Sequence, residues 1–108
     1  MPINDPTKFV TSYTGDSNNI TLPVASLNDG LVDVNDIKEV VYALLEEVSD
    51  VYLGNKPMAG TSTLMTATDR SANMVISKAS SMASDSQMRK SFTITFLLDV
   101  DALEVTDD

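Results

Sequence analysis

Residues 91–98, Ser-Phe-Thr-Ile-Thr-Phe-Leu-Leu, alternate hydroxylated and apolar side chains from Ser91 to Phe96. Successive side chains of an extended chain point to opposite faces, so Phe92, Ile94, Phe96 and Leu98 share one face while Ser91, Thr93 and Thr95 share the other. This pattern predicts a β-strand with one covered face. Upstream, Asn73 to Met82 carries Met74, Val75 and Ile76 followed by Ser77, Ala79 and Ser81, which reads as a second strand with small residues on one side. Ser84-Asp85-Ser86 between them is a turn. The two strands are expected to form an antiparallel hairpin whose apolar face needs a cover.

The cover is found in residues 34–53, Val-Asn-Asp-Ile-Lys-Glu-Val-Val-Tyr-Ala-Leu-Leu-Glu-Glu-Val-Ser-Asp-Val-Tyr-Leu. Ile37, Val40, Val41, Leu44, Val48 and Val51 recur at spacings of three and four and make one apolar stripe on a helix. Lys38, Glu39, Glu46, Glu47 and Asp50 lie mostly off that stripe. Asp33 suits the N-cap, with Asp36 three residues on and Val32 stapling against Ile37. Gly54 suits the left-handed position after the last turn, and Pro57 prevents continuation. The β-branched valines lower intrinsic helix propensity, so this helix needs a surface to lie against. The predicted fold class is α+β: one amphipathic helix packed on a small antiparallel sheet containing a C-terminal β-hairpin, with an extended N-terminal arm.

The remaining chain is punctuated more weakly. Residues 1–19 are rich in Pro, Ser, Thr, Asn and Asp and read as an irregular N-terminal arm. Ile20, Leu22 and Val24 alternate with Thr21, Pro23 and Ala25 as a short strand, which Pro23 restricts to an edge because it cannot donate a ladder hydrogen bond. Asn28-Asp29-Gly30 is a turn. Residues 58–72 have no clear period and form a long loop or a weak strand near Thr63 to Thr66. A loop of this length in a compact domain tends to be functional or ordered by a partner. The organisation is therefore an arm over 1–19, a single α+β domain over 20–105 and an acidic tail over 106–108. The apolar residues of the two irregular segments, Phe9, Val10 and Tyr13 in the arm and Met58, Leu64 and Met65 in the loop, are the candidate partner contacts.

Composition removes most chemistry. The 108 residues allow one domain of common size, and they include no His, no Cys and no Trp. The usual general base, the thiol nucleophile and the soft metal ligands are all missing. Serine activation by lysine is the route left, yet Ser77-Lys78 and Lys90-Ser91 are adjacent in sequence, and adjacent strand residues face opposite ways. The four glycines stand alone at 15, 30, 54 and 60, so no phosphate-cradling loop exists. Acidic groups at Asp99, Asp101 and Glu104, and at Asp29, Asp33, Asn35 and Asp36, lack the alternate ligand spacing and the central glycine of a calcium loop. No enzyme activity, metal or cofactor is expected. The clustered methionines Met58, Met65, Met74, Met82 and Met88 read as gap-filling core residues in preference to an adaptable binding surface.

Sixteen acidic against seven basic residues give a net charge of −9, which repels phosphate backbones and argues against nucleic-acid binding. No apolar run approaches the roughly 20 residues that span a bilayer, and the N-terminus lacks a basic and apolar secretion leader. No membrane association is expected.

Read in order, Asp36-Ile37-Lys38-Glu39-Val40-Val41-Tyr42-Ala43-Leu44-Leu45-Glu46, Pro57, Met74-Val75-Ile76-Ser77-Lys78-Ala79-Ser80, Arg89-Lys90-Ser91-Phe92-Thr93-Ile94-Thr95-Phe96 and Leu103-Glu104-Val105 resemble small virion structural proteins of tailed bacteriophages, particularly those of marine cyanobacteria. The resemblance covers about residues 34–105. It implies a non-enzymatic subunit made in the host cytoplasm and incorporated into the virion, decorating or cementing the head. A neck or tail position is the alternative within the particle. Its partners would be other virion proteins and further copies of itself in a homo-oligomer. A small cellular protein-interaction module shares most of these features and remains the reading outside the virion.

Overall fold

The computed structural model describes residues 2–27 and 33–99. In chain order they form a 3-10 turn over Pro6–Lys8, β1 (Thr14–Gly15), β2 (Ile20–Thr21), a 3-10 turn over Val24–Ser26, α1 (Ile37–Tyr52), β3 (Met74–Met82) and β4 (Met88–Phe96). β1 pairs with β2 and β3 with β4, both antiparallel, giving two separate two-stranded sheets. The architecture is α+β, as the periodicities predict.

The helix begins one turn later than Asp33. Asp36, with extended backbone, is the N-cap and its carboxylate accepts the Lys38 N–H at 2.9 Å. Asp33 instead closes the preceding turn, accepting from the Asn35 N–H at 2.9 Å, while its own N–H donates to Glu39 at 3.1 Å. Asp36 thus satisfies a donor that the helix start leaves orphaned, while Asp33 satisfies one in the turn before it. The expected staple from Val32 lies outside the described residues, as does the turn at Asn28-Asp29-Gly30. At the far end Gly54 has φ +79°, and a Cβ there would meet the Met65 carbonyl at 3.1 Å. The glycine is thus required twice, by backbone sign and by close approach.

Burial on α1 departs from the expected stripe. Val51 is fully buried, and Leu44 and Val48 pack against the core, but Ile37 is 75% exposed and Val41 46% exposed. The buried set includes Ala43, Glu46, Glu47, Ser49 and Tyr52. The helix is therefore rotated so that carboxylates predicted off the contact face lie on it: lysines of the hairpin meet Glu46 and Asp50, and Lys56 meets Glu47.

In the hairpin, Met74 faces Phe96, Ile76 faces Ile94, Lys78 faces Phe92 and Met82 faces Met88, with nine uninterrupted pairs. Residues 83–87 make the connection, containing the predicted Ser84-Asp85-Ser86 turn. Phe92 and Ile94 are half-buried on the helix side, while Ser91, Thr93 and Thr95 face outward. Phe96 and Leu98 share the inner face of the predicted strand yet remain exposed, since the helix does not reach over them.

Residues 2–19 carry little regular structure but are folded against the body. Phe9 and Val10 are buried in the same core as Leu27, Ala43, Val51, Tyr52, Met58, Met65 and Ile76. Backbone bonds from Ile3 to Asp69 at 2.7 Å and from Ala59 to Lys8 at 2.8 Å tie the segment to the 58–72 loop. That loop contains no strand. The short strand expected over 20–25 is reduced to Ile20–Thr21, because Pro23 diverts the chain into a 3-10 turn.

Candidate assembly surface

The helix meets the hairpin through a charged clasp. Lys78 donates to Glu46 at 3.0 Å and to Asp50 at 2.6 Å, and Lys90 donates to the other Glu46 oxygen at 3.3 Å. The Tyr42 hydroxyl also donates to Glu46, at 2.9 Å, and its ring meets Phe92 edge-on with centroids 6.2 Å apart. Lys56 pairs with Glu47 at 2.7 Å. Burial pushes the Glu46 carboxyl up, but the hydrogen bonds from Lys78, Tyr42 and Lys90 outweigh it and hold the group below its ordinary range. Asp50 and then Glu46 raise the Lys78 ammonium against the opposing effect of burial. Burial, with the adjacent Glu46 carboxylate, raises Tyr42. All three are thereby locked in their neutral-pH forms, which is the reverse of a poised acid or base. Ser77 lies on the opposite face from Lys78, as strand geometry requires. The clasp fixes the hairpin and has no nucleophile to activate.

Beyond the clasp the hairpin is uncovered. Its residues from 79 to 91 are all exposed, and both strands are edges of the two-stranded sheet. The ladder phase identifies which backbone groups are free. Leu97 N–H donates to Asn73 and Ala83 N–H donates to Gln87, so the odd-numbered pairs exchange the hydrogen bonds between β3 and β4. In an antiparallel pair the alternate residues point their N–H and C=O outward. On β3 these are Met74, Ile76, Lys78, Ser80 and Met82, and the Tyr52 hydroxyl already occupies the Met74 carbonyl at 2.8 Å. On β4 they are Met88, Lys90, Phe92, Ile94 and Phe96, and no described residue pairs with their backbone. Native edges are usually blunted by proline, a bulge or a guarding charge. β4 contains no Pro or Gly and no bulge; of its two charges, Lys90 is turned inward onto Glu46 and Arg89 lies on the outer face beside Ser81.

Two apolar grooves adjoin this edge. One, of about 400 Å³, is lined by Ile37, Val41, Tyr42, Leu45, Lys90 and Phe92. The other, of about 430 Å³, lies at the hairpin base among Phe9, Tyr13, Leu44, Val48, Met74 and Phe96. Phe96, Leu97 and Leu98 are each more than half exposed there.

The candidate contact residues divide accordingly. Phe9, Val10, Met58 and Met65 are buried inside the chain's own core and offer no docking surface; the arm and loop fold on each other instead of waiting for a partner. Tyr13 is half-buried and lines the base groove. Leu64 is exposed. The surface the sequence reading missed comprises Ile37, Val41, Phe96 and Leu98. Its signal was present: the six-residue stripe on the helix is wider than two strands about 4.8 Å apart can cover. Of the methionines, Met58 and Met65 are core while Met82 and Met88 are exposed. Asp33 and Asp36 serve the helix start; Asp29, Asp101 and Glu104 lie outside the described residues. Among the described residues no group of His, Cys, Asp and Glu is arranged to hold a metal ion, and no helix is long and apolar enough to cross a membrane.

No protein-family model matches this chain, and neither a curated protein nor a solved structure does.

Proposed function

We propose that the chain is a non-enzymatic structural subunit that works by assembly, with the β4 edge and its flanking grooves as the contact surface. The observation that carries this is a nine-residue strand whose outward backbone groups no described residue pairs, beside apolar side chains that no described residue covers. Strand addition supplies affinity through main-chain hydrogen bonds and specificity through alternate side chains. The missing acid-base and thiol groups favour the same reading.

Within that class, the resemblance to small virion proteins of tailed phages supports a place in the virion, as a head decoration or cement subunit bound to capsid proteins, or as a neck or tail component. A cellular interaction module is the competing reading, and the free edge serves it equally. Co-sedimentation of the purified protein with candidate phage heads, with and without edge-disrupting variants, tests the proposal. Saturable binding at one stoichiometry supports a decorating subunit. A protein that is monomeric and binds no particle or other chain overturns the assembly reading.

A further inference from the structure

We infer that the occupant of the β4 edge is β4 of a second copy, paired antiparallel about a two-fold axis at Phe92; this rests on the assembly reading and names its partner. The free backbone groups belong to the even-numbered residues, so an antiparallel partner must present even residues opposite them. Phe92 is both even and the centre of Met88–Phe96. A two-fold axis there pairs all nine residues, with Met88 opposite Phe96 of the second copy and Lys90 opposite Ile94. Moving the axis to Ser91 leaves the last two residues of the strand, Thr95 and Phe96, unpaired, and moving it on to Lys90 puts that lysine opposite itself, where like charges are destabilising. Met88–Phe96 carries Arg89 and Lys90 and no acid, so the axis at Phe92 keeps the positive charges on separate sides while the chain's excess acid lies elsewhere.

The helix supports the same axis. Tyr42 packs on Phe92, so the neighbouring Val41, 46% exposed, lies at the level of the axis, with Ile37 and Leu45 to either side in the groove beside β4. Two-fold pairing gives a four-stranded sheet, β3-β4-β4-β3, with two antiparallel helices on one face and their exposed stripes turned toward each other. The strip each copy contributes, the β4 edge with Ile37 and Val41, is among the most exposed apolar surface described, and a specific contact is expected to bury about 1,000 Å² or more in total. The outer face, Ser77, Ala79, Ser91 and Thr93, stays solvated.

The register has a direct test, since the chain has no native cysteine. In the paired sheet Ser91 faces Thr93 of the second copy as a non-hydrogen-bonded pair, the spacing a disulfide accepts. Within one strand the same two positions are about 6.8 Å apart, at the outer limit for a bridge. The full-length S91C/T93C protein, oxidised mildly, is expected to give a covalent species of twice the chain mass; V41D, which places two carboxylates across the axis, is expected to raise the dimer dissociation constant at least tenfold in sedimentation velocity while leaving the circular dichroism of the monomer unchanged. A dimer that fails to cross-link at these positions, or one indifferent to V41D, overturns the inference. A monomer that binds another chain through β4 overturns it too but leaves the assembly reading standing, whereas a monomer that binds nothing removes both.

Discussion

Lys78 of β3 reaches across 32 residues of sequence to donate to Glu46 of α1 at 3.0 Å, and the same ammonium holds Asp50 at 2.6 Å. One strand residue thereby links two consecutive turns of the helix, and it does so where the apolar pattern alone would have placed solvent. Burying a carboxylate is costly unless it is paired and hydrogen-bonded. Glu46 meets that condition with three donors.

The clasp contributes to the pH dependence of the fold. Because the Glu46 value is lowered on folding, its contribution is present above the ordinary carboxylate range and disappears as pH falls through the folded value. Lys78, raised on folding, acts in the opposite sense: its contribution is full below its ordinary value of 10.5 and disappears as pH rises past the folded value. Glu46→Gln should lower stability at neutral pH and flatten the acid limb of the stability profile. Urea melts between pH 2 and 7 read this; an unchanged acid limb would show that Glu46 is not part of the acid transition.

Burial on the helix makes a paired prediction. Val51 is wholly enclosed, so Val51→Ala should cost about 2 kcal/mol through lost transfer energy and a residual cavity. Ile37 is 75% exposed, so Ile37→Ala in the dilute monomer should change stability by no more than about 0.5 kcal/mol. Equal costs in denaturant melts would mean that the helix is rotated relative to the structure described here.

The helix ends are testable separately. Asp36→Ala removes the cap on the Lys38 N–H and should cost about 1 kcal/mol, more than Asp33→Ala, whose bonds lie in the turn outside the helix. Gly54→Ala forces a Cβ into a left-handed residue facing the Met65 carbonyl and should cost about 1 to 2 kcal/mol. Thermal melts of the three variants give the ranking, and a harmless Gly54→Ala would show that the chain leaves the helix by another route.

Much of this was legible in the residues themselves. The alternation from Ser91 to Phe96 and the three-four spacing from Ile37 to Val51 are local signals, and they correctly give the hairpin, the helix and its glycine stop. Orientation is not local. Whether Glu46 or Val41 faces the hairpin depends on Lys78 and Lys90, which lie 32 and 44 residues away, and no periodicity within the helix encodes that choice. Likewise Phe9, Val10, Met58 and Met65 are few and irregularly spaced, so the sequence shows apolar anchors without saying that they anchor to one another. The assembly surface was hidden for the same reason: Ile37 and Val41 belong to a legible stripe, and only the placed hairpin reveals which part of the stripe is left bare.

Hydrogen exchange reads the free edge residue by residue. In the monomer, β4 amides at Arg89, Ser91, Thr93 and Thr95 point toward β3, while those at Lys90, Phe92 and Ile94 point away, so protection should alternate along the strand. Near Ile76 and Ile94 the hairpin is held by the core, but toward Met82 and Met88 both strands are exposed, and a two-stranded ribbon alone is only marginally stable. Protection of the odd-numbered amides should therefore fall from Thr95 toward Arg89. When the edge is occupied by another strand, Lys90, Phe92 and Ile94 acquire acceptors and should slow together, with the largest gain at Phe92 if that residue lies at the centre of the contact. Amide-resolved exchange at low and high protein concentration measures both effects. Equal protection of odd and even amides in the monomer would contradict the ladder phase, and assembly that leaves the even amides fast would place the contact somewhere other than β4.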